Sequence, residues 1–119
     1  MNKPLVLYNN LTMTKEKLSE ILSTLRAGLE ELLEDQLAAV YLYGSHARGE
    51  AASDSDIDVL VVLNWNFDYF DMIEQTGDLA AKLSLENDTV IALAFVTKDN
   101  YQSRQTPFLM NVRREGVSV

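Results

Sequence analysis

Cysteine is absent from these 119 residues, which excludes disulfides and thiolate metal sites alike. Proline occurs twice and glycine five times, too sparsely for a linker, and there is no internal repeat or low-complexity tract. Basic residues are scarce, with ten Lys and Arg against eighteen Asp and Glu, giving a formal charge of −8. An acidic surface repels phosphate backbones, which disfavours sequence-independent nucleic-acid binding. No apolar run approaches the roughly 20 residues of a membrane span. The apolar core of "MNKPLVLYNN" is too short for a signal peptide. These absences lead to the expectation of one cytoplasmic domain over residues 1–119.

The apolar pattern supplies the frame. Leu18, Ile21, Leu22, Leu25, Leu29, Leu32 and Leu33 recur at three- and four-residue steps, predicting a helix over 14–36 with Thr14 as its N-cap. "LAAVYLY" (37–43) and "IDVLVVL" (57–63) read as buried strands, the second β-branched and central. A short helix is expected over Ser45–Glu50. A longer one is expected over 67–86, broken near Gly77, with Phe70, Ile73, Ala80 and Leu83 inward. "TVIALAFV" (89–96) gives a third strand, followed by a turn or short helix at Asp99–Ser103 and a helix over Pro107–Arg114. Strands alternating with helices predict an α/β (α+β) fold, a small mixed sheet covered by helices.

The chemistry concentrates in "VYLYGSHARGEAASDSDIDVLVVL" (40–63). Gly44 permits close backbone approach, Ser45 adds a hydroxyl, and the amides that follow open a helix, a combination suited to phosphate. Asp56 and Asp58 lie two apart at a strand start, so both side chains share one face while Ile57 points into the core. Paired carboxylates beside a phosphate cradle suit Mg²⁺, which takes a few carboxylates plus substrate oxygens. Together these parts describe phosphoryl or nucleotidyl transfer from a triphosphate.

Gly44-Ser45, ten intervening residues and Asp56-Ile57-Asp58 resemble the Gly-Ser-x10-Asp-x-Asp signature of the polymerase-β-like nucleotidyltransferase superfamily. The string "GSHARGEAASDSDIDVLV" is similar to its minimal nucleotidyltransferase branch, down to Arg48 and Gly49. Four fixed positions at that spacing arise by chance in about one chain in a thousand of this length. The resemblance implies the polymerase-β-like nucleotidyltransferase fold, Mg²⁺ held by Asp56 and Asp58, and ATP as substrate bound by Gly44, Ser45 and Arg48. It also implies a partner, because small members often act as antitoxins to helical HEPN toxin RNases and AMPylate them on tyrosine. Self-association is left open.

One departure stands out. Superfamily enzymes usually carry a third carboxylate on a neighbouring strand, and "TVIALAFV" has no acid within it. Asp88 and Asp99, at its two ends, are the nearest candidates. Two alternatives therefore stand beside AMP transfer to a HEPN toxin: a catalytically silent binding module, and a stand-alone transferase acting on a small molecule. Among the remaining residues, Arg48 has a loop ion pair as its other role, Asp54 is expected solvated or paired with Arg48, and His46 is placed at the pocket rim. Trp65, Phe67, Tyr69 and Phe70 are expected in the core, with a base pocket as the alternative. Arg104, Arg113 and Arg114 are expected on solvated helix faces.

Overall fold

The computed structural model describes residues 13–52 and 54–119; the N-terminal stretch weighed above as a signal peptide lies outside them. Helix α1 spans Lys15–Leu33, its first turn closed by the Thr14 hydroxyl accepting from the Lys17 N–H at 3.0 Å. It buries Ile21, Leu22, Leu25, Leu29 and Leu33. Burial of each such side chain is worth about 1.5–3 kcal/mol. Leu32, expected on the same stripe, is 46% exposed at the helix end. A 3₁₀ turn over Glu34–Gln36 follows, and Asn64 ties it down by donating to the Asp35 carbonyl at 2.8 Å.

Among the described residues four strands form a sheet, β1 (Leu37–Tyr43), β2 (Ile57–Leu63), β3 (Ile91–Thr97) and β4 (Val117–Ser118), in the spatial order β3-β2-β1-β4. β2 runs antiparallel to β1 and parallel to β3, so the sheet is mixed and β2 is internal. Every β2 residue except Asp58 is buried. Ile57, Val59, Val61 and Leu63 face α1 and the long helix α3 (Tyr69–Glu86). Leu60 and Val62 face Leu109 and Val112 of helix α5 (Pro107–Glu115). Between β1 and β2 lies the four-residue helix α2 (Ser45–Arg48), and helix α4 (Lys98–Ser103) follows β3.

Three expectations change. α3 passes through Gly77 unbroken, because one interior glycine costs a helix about 1 kcal/mol without ending it. Its inward side is Met72, Thr76 and Leu83; Leu83 is inward as expected, whereas Phe70 is 80% and Ile73 47% exposed, so the expectation fails in the first turns of the helix. β3 begins at Ile91, two residues late, since the Thr89 and Ile91 amides donate back to the Ser84 carbonyl and hydroxyl and shape a turn there. β4, two residues pairing with Tyr41 and Leu42, has no periodic signal to read. A Cβ on Gly77 would meet none of the described residues within 4 Å. Gly77→Ala is therefore expected to stabilise the chain by roughly 0.5–1 kcal/mol, read as a higher midpoint in thermal unfolding.

Candidate active site

The two halves of the Gly-Ser and Asp-x-Asp motif meet in space. β1 ends at Tyr43, whose strand partner is Asp58. Gly44 then adopts φ +76°, ψ −157°, backbone that is accessible essentially to glycine alone. A Cβ at Gly44 would collide with the Asp58 carboxylate. The carboxylate thus lies directly against the Gly44 backbone, beside the opening turn of α2. In that turn the Arg48 N–H donates to the Gly44 carbonyl at 3.2 Å. The amides of Ser45, His46 and Ala47 precede it, where a helix offers no carbonyl behind them.

Asp56 is exposed and sits one residue before β2, while Asp58 is half-buried within it. Burial, and then the neighbouring Asp56 charge, raise the Asp58 carboxyl above its ordinary value, with His46 and Arg48 pulling the other way. Two hard-oxygen donors whose repulsion is only partly offset form a set that a divalent cation fits. Among the described residues no three His, Asp or Glu side chains converge as a metal site. A Mg²⁺ held there would complete its octahedron from water and phosphate oxygens.

Neither candidate third carboxylate joins the pair. Asp99 opens α4, beyond the end of β3 that aligns with Leu63, roughly 16 Å of strand away from Asp58. Asp88 is at the near end, in a left-handed turn residue with φ +50°, and lines a separate small cavity with Asp54, Thr89 and Val90. The β3 residue in register with Asp58 is Ala92.

The flanking residues hold the loop. Arg48 donates from Nε to Glu50 at 2.9 Å and from Nη1 toward Glu115 at 3.4 Å, so its guanidinium is engaged by two carboxylates and not by Asp54. His46 Nε2 meets the Ser55 carbonyl at 3.2 Å, which ties α2 to the loop leading into Asp56. Arg113 is not on a solvated face. It donates to the carbonyls of Tyr101 and Arg104 and staples α4 to α5. Trp65 stands past the far end of β2 and is 53% exposed, outside both core and site. Phe67 and Tyr69 rest on Phe95.

Two residues went unnoticed in the sequence. Glu115, sixty-seven positions after Arg48, left no local signal. Tyr43 is the direct cross-strand neighbour of Asp58, and burial, followed by the Asp58 charge, raises its phenol and keeps it a proton donor. Alternation along β1 toward Gly44 could have placed it.

A small mixed sheet with a Gly-Ser turn against a paired carboxylate defines a nucleotidyltransferase core. Residues 22–107 match the nucleotidyltransferase domain family, and the chain belongs to it. Two Methanocaldococcus jannaschii proteins named as protein adenylyltransferases are similar to it. One is 29% identical, over 84% of this chain and 96% of the relative. The other is 32% identical, over 74% and 83%. Among solved structures, a minimal nucleotidyltransferase superposes with a TM-score of 0.57 at 24% identity, over 86% of this chain and 95% of that one. A toxin–antitoxin complex with AMP-PNP gives 0.57 at 24%, over 81% and 69%. At these identities the solved structures establish the shared fold.

Proposed function

We propose that this chain binds Mg-ATP and transfers AMP to a hydroxyl of a partner protein, a HEPN-type toxin that it thereby neutralises. The observation that carries the reading is the Asp58 carboxylate lying against Gly44, which sets a cation-binding pair beside the phosphate-facing turn. Ser45 Oγ and the first amides of α2 donate to the triphosphate. Asp56 and Asp58 hold Mg²⁺, which, when bound, offsets negative charge on the phosphate oxygens. The acceptor hydroxyl oxygen attacks the α-phosphorus in line as its proton passes to water, and pyrophosphate leaves as the bond from the α-phosphorus to the bridging oxygen breaks. Arg48, held by Glu50 and Glu115, keeps α2 and the acidic loop in place. Relatives named protein adenylyltransferases and fold neighbours solved as toxin–antitoxin complexes support the choice of a protein acceptor.

The test is intact-mass spectrometry of the protein encoded next to this one, after incubation with Mg-ATP and this chain. Gain of AMP units that is lost with Asp58→Asn upholds the reading. Toxin inhibition that survives Asp56→Asn, with no mass change, supports the second reading, a silent module acting by occlusion.

Ala92 favours that second reading, because it stands where a neighbouring-strand base would be. Ala92→Asp supplies a carboxylate in register with Asp58. The expected result is a rise in AMP transfer of roughly 10–100-fold, toward the gain a positioned base gives. An unchanged rate in a folded variant, measured by single-turnover assay, would point to proton loss directly to water.

A further inference from the structure

α3 carries two apolar faces, and the described residues pack on one. Met72, Thr76 and Leu83 are buried, and Leu79 meets α1 at Gly28. At about 100° per residue, Phe70, Ile73, Gly77 and Ala81 form a second stripe on the other side at three- and four-residue steps. Phe70 is 80% and Ile73 47% exposed, with Trp65 (53%) and Tyr69 (46%) immediately before them. Among the described residues the space above Gly77 is open, so none of their contacts requires a helix-weakening glycine there. Trp65, Tyr69, Phe70 and Ile73 put four exposed large apolar side chains within nine residues, more than the scattered single ones of ordinary surfaces.

The charge around the patch selects its occupant. Asp71, Glu74 and Asp78 flank the stripe along one side, and Lys82 is the one Lys or Arg of α3. We infer that this face docks a basic amphipathic helix of the partner protein, its apolar side on Phe70 and Ile73 and its Lys and Arg residues on the acidic rim. The missing side chains at Gly77, and the methyl of Ala81, let that helix approach closely. A second copy is disfavoured, since an isologous contact would set Asp71, Glu74 and Asp78 against their own equivalents. Anionic lipid is disfavoured by the same charges. The inference names where the protein acceptor of the preceding section docks, and so rests on that reading.

The probe is a fluorescein-labelled peptide of about 18 residues, Leu and Lys in helical alternation, with a Glu-for-Lys counterpart as control. Titrated against the full chain, the Lys peptide should shift backbone amide resonances concentrated in 65–81, and the Glu peptide should not bind. Phe70→Ser with Ile73→Ser should lower affinity at least about tenfold while leaving Mg-ATP binding unchanged. Gly77→Leu should raise the melting temperature yet weaken the peptide, a pairing that simple loss of fold does not produce. Amide shifts scattered over the surface, or equal affinity in the double variant, would overturn the docking site. So would a Phe70-dependent dimer in sedimentation, which would assign the face to a second copy. AMP transfer to the neighbouring protein, measured on the same variants, separates the two ideas. Transfer that is undiminished in the double variant overturns the docking site alone, and docking without any transfer leaves the site standing and removes the acceptor reading.

Discussion

Asp58→Asn is expected to lower AMP transfer by roughly 10²–10³-fold, the cost of removing one electrostatic stabiliser of the reacting phosphate, while leaving the protein more stable at neutral pH. The two halves of this outcome have one cause. Burial and Asp56 raise the Asp58 carboxyl in the folded state. The folded chain therefore holds that proton more tightly than the unfolded chain does. The group's contribution to stability is present below its unfolded pKa and is lost as pH rises through the folded one. At pH 7 without divalent cation the half-buried Asp58 carboxylate is a local cost, which asparagine removes. Thermal unfolding in chelator should show the variant melting above the parent at pH 7, with the difference closing toward acid pH. Added Mg²⁺ should raise the parent's midpoint and not the variant's. A parent whose midpoint ignores Mg²⁺, or a variant that binds ATP with undiminished Mg²⁺ dependence, would remove the metal assignment.

Gly44→Val is expected to be the most damaging single change in the motif. Valine must accept φ +76°, ψ −157°, at a cost of order 1–3 kcal/mol, and its Cβ must displace the Asp58 carboxylate, costing about as much again. Together these should lower the melting temperature by roughly 10–20 °C. The same displacement turns Asp58 away from the opening turn of α2, so Mg-ATP binding should fall below detection by calorimetry in whatever fraction stays folded. Ser45→Ala is the control. It removes one hydroxyl donor, about 0.5–1.5 kcal/mol, and leaves the backbone amides in place. Equal ATP affinity in the two variants would place the phosphate elsewhere. Gly44→Ala, with the same Cβ and no branching, separates the backbone requirement from bulk.

Much of the fold around the candidate site is legible in the sequence because its signals are local. Gly-Ser at the end of one apolar run and Asp-Ile-Asp at the start of the next are fixed by strand alternation, which forces the two carboxylates to one side and Ile57 to the other. Ile57 is fully buried, as alternation required. The cap read at Thr14 closes its helix by a bond spanning three residues, and Asp68, Thr97 and Thr106 close later helices in the same way. Strand boundaries for β1 and β2 follow from their apolar runs, broken in β2 at Asp58 alone.

What the chain alone left undecided depends on contacts between distant residues. Both sides of α3 have helical spacing, so periodicity could not say whether Phe70 or Met72 turns inward. The packing of Leu79 against Gly28 and of Phe67 and Tyr69 on Phe95 decides it. The antiparallel β1–β2 and parallel β2–β3 pairings set Ala92, and neither Asp88 nor Asp99, beside Asp58. The pairing of Arg48 with Glu115 joins α2 to the far end of the chain, and β4 is too short to carry a pattern of its own. Local sequence determines which groups are available and which way each strand residue points. Register and helix docking, set by burial summed over the whole core, decide which of those groups meet.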